Sequence, residues 1–195
     1  MRVRGSKTGK KSLPQQYKNR YSNNKQKLFL HLILHMFIFL KIILTLSFWT
    51  IVYQDFRERN VYLWVLLIAM FLIGFLHYQH SLLFPFLVNT SLNIGIICII
   101  VAILYLYATF KLKQPLKNTF GFGDLLFFIA IAVGFPTITF VVLFSFSLFF
   151  SLLLFLVLKK KLKHQTVPLA GLQALFFSII FLLNWSFNFL NFYQF

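Results

Sequence analysis

Long apolar runs separated by short polar breaks fill this chain from Leu28 to its end. A helix needs about 20 apolar residues to cross about 30 Å of hydrocarbon, and these runs lack the alternation of a membrane barrel. The predicted spans cover residues 28–53, 61–76, 87–110, 124–135, 137–158 and 167–189. The pattern therefore predicts an all-α fold, a polytopic transmembrane helical bundle of about six spans that forms one domain over residues 28–195.

The fourth predicted span is short by that standard. Gly134 and Pro136 stand between it and the fifth span. These residue types favour a turn, which would make the two segments separate helices. One long helix with a proline kink is the alternative.

Composition narrows the class of protein further. Hydrophobic residues make up 59% of the chain and charged residues 11%, whereas a soluble domain usually has about 45–50% and about 25%. An ordinary soluble globule and a disordered chain are thereby excluded. The single Cys98 excludes an internal disulfide and a cysteine-based zinc site. The only acids are Asp55, Glu58 and Asp124, so any carboxylate chemistry depends on these three.

Positive charge alternates between the loops. The first, third and fifth loops contain Lys or Arg, whereas the second loop, the fourth loop and the C-terminal residues contain none. By the positive-inside rule, the basic loops are expected at the cytoplasmic face of the cell membrane. This orientation would place Asp55 and Asp124 at the same face.

Residues 1–27 form a basic segment with nine Lys or Arg and no acid, for which we expect a flexible tail. An odd number of spans would place this tail opposite the other basic segments, and Lys41 lies midway along the first span. The tail is then either translocated despite its charge or bound at an interface ahead of a longer, bent helix. Alternatively the native protein starts at Met36, which would remove the conflict.

Both aspartates lie at predicted helix ends, and Gly121 and Gly123 precede Asp124 in the run GFGD. Considered separately, the position of Asp124 is typical of a helix N-cap, and that of Asp55 is typical of a hydrated residue at the end of a span. Together they suggest other chemistry, because two neighbouring carboxylates cannot both ionise. The charged one can take a proton from water while the neutral one donates to a peptide carbonyl, as in aspartic peptide hydrolysis.

Two motifs give a family resemblance. The run YQDFRERNVYLW around Asp55 resembles the first active-site motif of the type IV prepilin peptidases, and GFGD resembles their Gly-x-Gly-Asp motif. Archaeal preflagellin peptidases belong to that family, and presenilin-type proteases share the second motif. The run VPLAGLQA at residues 167–174 is similar to the proline-containing start of the family's last helix.

The resemblance implies a membrane aspartic endopeptidase with Asp55 and Asp124 as its catalytic pair and with no metal or cofactor. The residues expected at the active-site loop and the substrate approach are Gly121, Gly123, Arg57 and Arg59. The implied partners are membrane lipid and prepilin-like or pseudopilin-like precursors, whose basic leader ends in Gly ahead of an apolar helix. Nucleic acid is not expected as a partner, since the basic tail has no fold to recognise it.

The sequence departs from the family at two points. Many members have Lys two residues after the second Asp, where this chain has Leu126. The N-terminal segment with paired Cys motifs that bifunctional members carry has no counterpart here, so no resident methyltransferase is expected. The alternative function is a non-catalytic membrane subunit or pseudopeptidase of a secretion or pilus assembly system. A small transporter is disfavoured, because few polar groups lie in the spans.

Small and amide side chains inside the spans are predicted to serve helix packing. Gly95, Gly134 and Gly171 are expected where helices approach closely. The amides expected to form hydrogen bonds between helices are Asn89, Asn93, Asn184 and Asn188.

Overall fold

The computed structural model describes residues 15–113, 121–159, 167–187 and 192–193. The predicted tail before residue 15, most of the third and fifth loops, and Asn188 lie outside the described residues. The chain divides into two compact units, Met1–Leu40 and Lys41–Phe195. In the first unit the described residues are helical throughout. The second unit is a helical bundle and contains both aspartates.

The described residues form six α-helices, a short π-helical segment at Ala108–Leu112 that continues the third of them, and no strand, which confirms the all-α prediction. The helices are α1 (Gln15–Glu58), α2 (Leu63–His80), α3 (Leu83–Tyr107), α4 (Phe122–Val133), α5 (Thr137–Leu158) and α6 (Leu169–Phe187). All but α4 are long and apolar enough to cross a membrane, and large apolar side chains cover their outer surfaces. The protein is therefore a multi-pass membrane protein.

Helix α1 begins earlier than the apolar pattern predicts. It is already helical at Gln15, within the segment for which the sequence predicts a flexible tail. Its residues contain no Pro or Gly from the first to the last, so nothing in the covalent chain interrupts the helix. The apolar part, Lys25–Glu58, has 34 residues and includes Lys41. It is longer than the thickness of the hydrocarbon requires.

Helix α4 has 12 residues, or about 18 Å, and is too short to cross a bilayer by itself. Helix α4 ends at Val133 and α5 begins at Thr137, so the predicted turn is present. The alternative prediction of one long, kinked helix is wrong.

Side chains from α2 and α3 hold the end of this short helix. The Nδ1–H of His77 donates to the carbonyl of Val133 at 2.9 Å. The Nδ2 amide of Asn93 donates to the carbonyls of Ala132 and Phe135, each at 2.8 Å. Free carbonyls at a helix end are costly away from water, and these bonds allow α4 to end inside the bundle. Asn93 is confirmed as a partner between helices.

Glycines bring α2 and α4 into close contact. A Cβ atom on Gly134 would lie 2.6 Å from Cγ1 of Ile73, and one on Gly74 would lie 2.8 Å from Cγ1 of Val133. The prediction of close packing is therefore confirmed for Gly134. It is wrong for Gly95, because a Cβ there would meet no atom of the described residues within 4 Å.

Three phenylalanines join the helices that carry the site. Phe48 of α1, Phe127 of α4 and Phe177 of α6 have ring centroids 6.2 to 6.4 Å apart. All three side chains are buried almost completely. Their packing fixes the spacing of α1, α4 and α6 in an apolar core.

Candidate active site

The ends of three helices meet around the two aspartates. Asp55 lies in the last turn of α1, and Asp124 lies in the first turn of α4. The first turn of α6 contacts both carboxylates. The pair that the sequence singles out is therefore brought to one place, although Asp55 and Asp124 are far apart in the chain.

Two consecutive peptide groups hold the pair. The backbone N–H of Gly171 donates to Oδ2 of Asp55 at 2.6 Å. The backbone N–H of Ala170 donates to Oδ1 of Asp124 at 2.7 Å. Both donors belong to the first turn of α6, where backbone N–H groups have no partner within the helix and the helix dipole favours negative charge. The two carboxylates thus share one anion-binding helix terminus.

Glycines leave the room that the carboxylates occupy. A Cβ atom on Gly171 would lie 2.9 Å from Cβ of Asp55, and one on Gly121 would lie 2.9 Å from Oδ2 of Asp124. Gly123 is different, because a Cβ there would lie 3.8 Å from Val61, an ordinary contact distance. Gly121 and Gly171 are therefore the positions at which a side chain would disturb the pair.

The carboxyl of Asp124 holds its proton more tightly than a free aspartate does. Asp124 belongs to α4, outside the five candidate spans. Burial, and to a lesser extent the neighbouring carboxylate of Asp55, raise the pKa of Asp124 to about 6. The Ala170 N–H and the charge of Arg59 act in the opposite direction. Near neutral pH, the proton occupancy of Asp124 is therefore sensitive to its surroundings.

A cavity of about 340 Å³ opens beside the pair. Its lining includes Asp55, Arg59, Gly123, Asp124, Leu126 and Ala170. Leu126, which stands where many prepilin peptidases have Lys, thus contributes an apolar wall. The cavity has room for a short stretch of peptide or a side chain next to the carboxylates.

The two arginines after Asp55 have different surroundings. Arg57 is exposed, donates to the hydroxyl of Tyr53, and stacks its guanidinium 5.5 Å from the centre of the Tyr53 ring. Arg59 instead lines the cavity. The third acid, Glu58, is exposed and accepts a hydrogen bond from the hydroxyl of Tyr62 at 3.3 Å. Of these four charged residues, Asp55 and Arg59 line the cavity, whereas Arg57 and Glu58 do not.

The sequence does not predict that α6 binds the two carboxylates. Ala170 and Gly171 contribute backbone donors, which have no side-chain signature. The available signal was Pro168, because proline is favoured at the start of a helix and helix starts bind anions. Neither the resemblance of the run VPLAGLQA to the family's last helix nor the predicted packing role of Gly171 indicates these donors.

Among the described residues, no three His, Cys, Asp or Glu side chains lie together as a metal site would need. Comparison of the chain with protein-family models, with curated proteins and with solved structures finds no match. The resemblance to the prepilin peptidases therefore depends on the two aspartate motifs and on the run at 167–174.

Proposed function

We propose that the protein is a membrane aspartic endopeptidase of the prepilin peptidase type. The observation that carries the proposal is the contact of Asp55 and Asp124 with consecutive N–H groups of α6. That contact sets two carboxyl groups side by side at a cavity, as aspartic peptide hydrolysis requires. The resemblance of the motifs around both residues adds the substrate class, prepilin-like precursors with a basic leader.

The reaction follows from a pair that shares one proton. The ionised carboxylate takes a proton from a water molecule, and the water oxygen attacks the peptide carbonyl carbon. The protonated carboxyl donates its proton to the carbonyl oxygen, which gives a tetrahedral intermediate. When the intermediate collapses, the C–N bond breaks, the leaving amine takes a proton from the pair, and a hydroxyl group of the intermediate returns one proton to the pair. The products are a leader carboxylate and a new N-terminus, and the pair returns to its starting state.

The cell membrane and its cytoplasmic face are the proposed location. The support is the alternation of basic and uncharged loops in the sequence. Cleavage at this face would act on precursors whose basic leader stays in the cytoplasm while the apolar helix enters the membrane. We propose peptidase activity without a resident methyltransferase.

A second candidate function rests on the same hydrogen bonds. Asp55 and Asp124 satisfy N–H groups of α6, and this bond alone would stabilise the helix start in a protein without catalysis. On that view, the chain is a non-catalytic subunit or pseudopeptidase of a secretion or pilus assembly system. The two candidates differ in whether a carboxyl, or only an acceptor oxygen, is needed at each position.

Co-expression with a prepilin-like precursor tests the proposal. The variants are Asp55→Asn and Asp124→Asn, because asparagine keeps an acceptor oxygen for the α6 N–H groups and removes the acid. Glu58→Gln is the matched control, since Glu58 is exposed away from the cavity. We expect the wild type and the control to shorten the precursor, while both Asp variants accumulate it at equal protein levels. Cleavage that survives either Asp substitution would contradict the aspartic mechanism.

A further inference from the structure

Gln173 is a buried amide that joins α6 to α5. Gln173 and Ser147, which lies on α5, are both fully buried. The Nε2 amide of Gln173 donates to Oγ of Ser147 at 3.2 Å. The Ser147 hydroxyl donates in turn to the carbonyl of Phe144 at 2.7 Å, so its oxygen is left to accept from the amide. Between apolar helices away from water such a bond is specific, since a displaced amide would find few other acceptors.

Small residues on α5 make room for the amide. After Phe144, the buried residues of α5 are Ser147 and Ser151. The Ser151 hydroxyl donates to the carbonyl of Ser147 at 2.7 Å, so it is satisfied within its own helix. The bond to Ser147 therefore fixes which residue of α5 lies opposite Gln173.

The amide lies close to the N–H groups that bind the aspartates. Gln173 follows Ala170 and Gly171 in α6, which places it about 4.5 Å and about 3 Å further along the helix axis. Helical N–H groups point along this axis towards the N-terminus. If α6 slid away from the aspartates by one residue, about 1.5 Å, both contacts would therefore lengthen. From 2.6 and 2.7 Å they would exceed the length of a hydrogen bond.

The aromatic contacts of α6 restrain such sliding less than this bond does. Phe177 packs against Phe48 and Phe127 with ring centroids 6.3 to 6.4 Å apart. Contacts between apolar surfaces have no preferred direction, whereas a hydrogen bond weakens steeply outside a narrow range of distance and angle. The bond between Gln173 and Ser147 is therefore suited to hold α6 at one axial position.

We propose that Gln173 is a positioning residue, which fixes the axial position of α6 through Ser147 so that the N–H groups of Ala170 and Gly171 reach both carboxylates. Gln173 does not line the cavity beside the pair. Its effect on cleavage rests on the proposed peptidase function, whereas its effect on the carboxylates does not. Because the Ala170 N–H lowers the pKa of Asp124, the proton affinity of Asp124 reports the position of α6 independently of cleavage.

The test measures the Tm of purified full-length protein in detergent micelles between pH 4.5 and 8.5. Each protein is compared with and without Asp124→Asn, and the difference in Tm isolates the contribution of Asp124. The test variants are Gln173→Leu and Ser147→Ala, which remove the donor and the acceptor of the same bond. One control, Ser178→Ala, removes a buried hydroxyl of α6 that has no hydrogen-bond partner among the described residues. The other, Phe140→Leu, leaves a space in the buried face of α5.

In the wild type, the difference in Tm should stop growing above about pH 6, where Asp124 loses its proton. In Gln173→Leu and Ser147→Ala the weakened bond from Ala170 should move this point to about pH 7. That is a roughly 10-fold higher proton affinity, as loss of a hydrogen bond to a charged group would give. The double variant should show no larger change, since both substitutions break one bond. The controls should keep the wild-type point, although Phe140→Leu lowers the Tm itself.

An unchanged point in the test variants, or an equal movement in the controls, would overturn the inference. Ser147→Ala alone decides it if Gln173→Leu does not fold. Cleavage of a peptide with a basic leader, a Gly and an apolar helix is measured separately. If the wild type cleaves this peptide, kcat should fall at least 10-fold in both test variants with KM within about twofold, because the pair is displaced while the cavity lining is intact. A wild-type kcat in both variants would also overturn the inference.

The two proposals can fail independently. If the wild type does not cleave the peptide, that result counts against the peptidase function, and the pH dependence of Tm still decides the role of Gln173. If the wild type cleaves but the point stays at about pH 6 in Gln173→Leu and Ser147→Ala, the peptidase function stands and the positioning role is wrong.

Discussion

Asp55 and Asp124 accept hydrogen bonds from neighbouring peptide groups, so their separation is set by the spacing of two consecutive residues in α6. Because a helix backbone is rigid, the N–H groups of Ala170 and Gly171 hold the carboxylates of α1 and α4 in fixed positions. Phe48, on α1, packs against Phe127 of α4 and Phe177 of α6 in the apolar core. Main-chain hydrogen bonds at the helix ends and phenylalanine contacts in the core therefore hold α1, α4 and α6 together.

Substitution of Gly171 tests the close approach of α6 to the pair. In Gly171→Ala, the new Cβ would lie 2.9 Å from Cβ of Asp55, an atom next to the backbone that cannot easily move. We expect destabilisation of about 1–3 kcal/mol, as for overpacking elsewhere, together with loss of cleavage. Tm by intrinsic tryptophan fluorescence in detergent micelles measures the first effect.

The control for this substitution is Gly95→Ala. Gly95 lies in α3, and a Cβ there meets nothing within 4 Å. Replacing a helical Gly by Ala at an open position should stabilise by about 0.5–1 kcal/mol. A Gly171→Ala protein with the Tm of the Gly95→Ala protein would show that α6 has room to move.

The two glycines of GFGD should respond differently to alanine. Gly121→Ala places a Cβ 2.9 Å from Oδ2 of Asp124 and should displace that carboxylate. At Gly123 the new Cβ stays 3.8 Å from Val61, and alanine is the better helix former by about 1 kcal/mol. We expect a cleavage rate lowered at least 10-fold in Gly121→Ala, and an equal or higher Tm in Gly123→Ala. A Gly121→Ala protein with the wild-type rate would contradict the contact.

The raised pKa of Asp124 predicts how stability depends on pH. The folded protein binds this proton up to about pH 6, whereas the unfolded chain releases it near 4. The native state is therefore favoured at low pH, and this contribution is lost as pH rises through 6. Asp124→Asn keeps the acceptor oxygen without the charge, so we expect it to exceed the wild type in stability by about 3 kcal/mol at pH 8.

Thermal unfolding of both proteins between pH 4.5 and 8 measures this difference. The two curves should approach each other towards the acid end, diverge as pH rises to about 6, and run parallel above that pH. Glu58→Gln is the control and should run parallel to the wild type, because Glu58 is exposed. Parallel curves for Asp124→Asn and the wild type would mean that Asp124 ionises in the folded protein as it does in water.

Asn93 should affect the stability of the short helix α4 rather than the cleavage reaction. Asn93→Leu removes the donors to the carbonyls of Ala132 and Phe135, which then lie unpaired away from water. We expect a loss of about 1–3 kcal/mol in stability. Asn89→Leu serves as the comparison and should cost less, because Asn89 only accepts from the hydroxyl of Thr137 at 3.1 Å. Equal Tm values for the two variants would contradict the importance of this helix end.

The sequence predicts the helices well, because span length and hydropathy depend directly on residue type. The turn between α4 and α5 also follows from Gly134 and Pro136. The start of α1 at Gln15 does not follow from the sequence, since a basic and polar segment can be helical or unstructured. The absence of a contact at Gly95 could not be read from the sequence either, because a glycine does not reveal what faces it.

The site is only partly readable from the sequence. The sequence singles out Asp55 and Asp124 because acids are so scarce, yet the N–H groups that join them could come from any helix start. Arg57 and Arg59 look equivalent beside Asp55. Only the left-handed turn at Arg59 and its place in the cavity separate them.

We propose that Asp55 and Asp124 act as one catalytic unit. The most direct measurement is the cleavage rate of a purified, prepilin-like peptide by the wild type, Asp55→Asn, Asp124→Asn and the double variant in the same vesicles. If the carboxyls work as a pair, each single substitution should remove activity as fully as the double one does, since partners in one step are not additive. Two outcomes would contradict the shared site. In one, the fold losses in cleavage rate of the two single variants multiply in the double variant. In the other, a single variant retains a substantial rate.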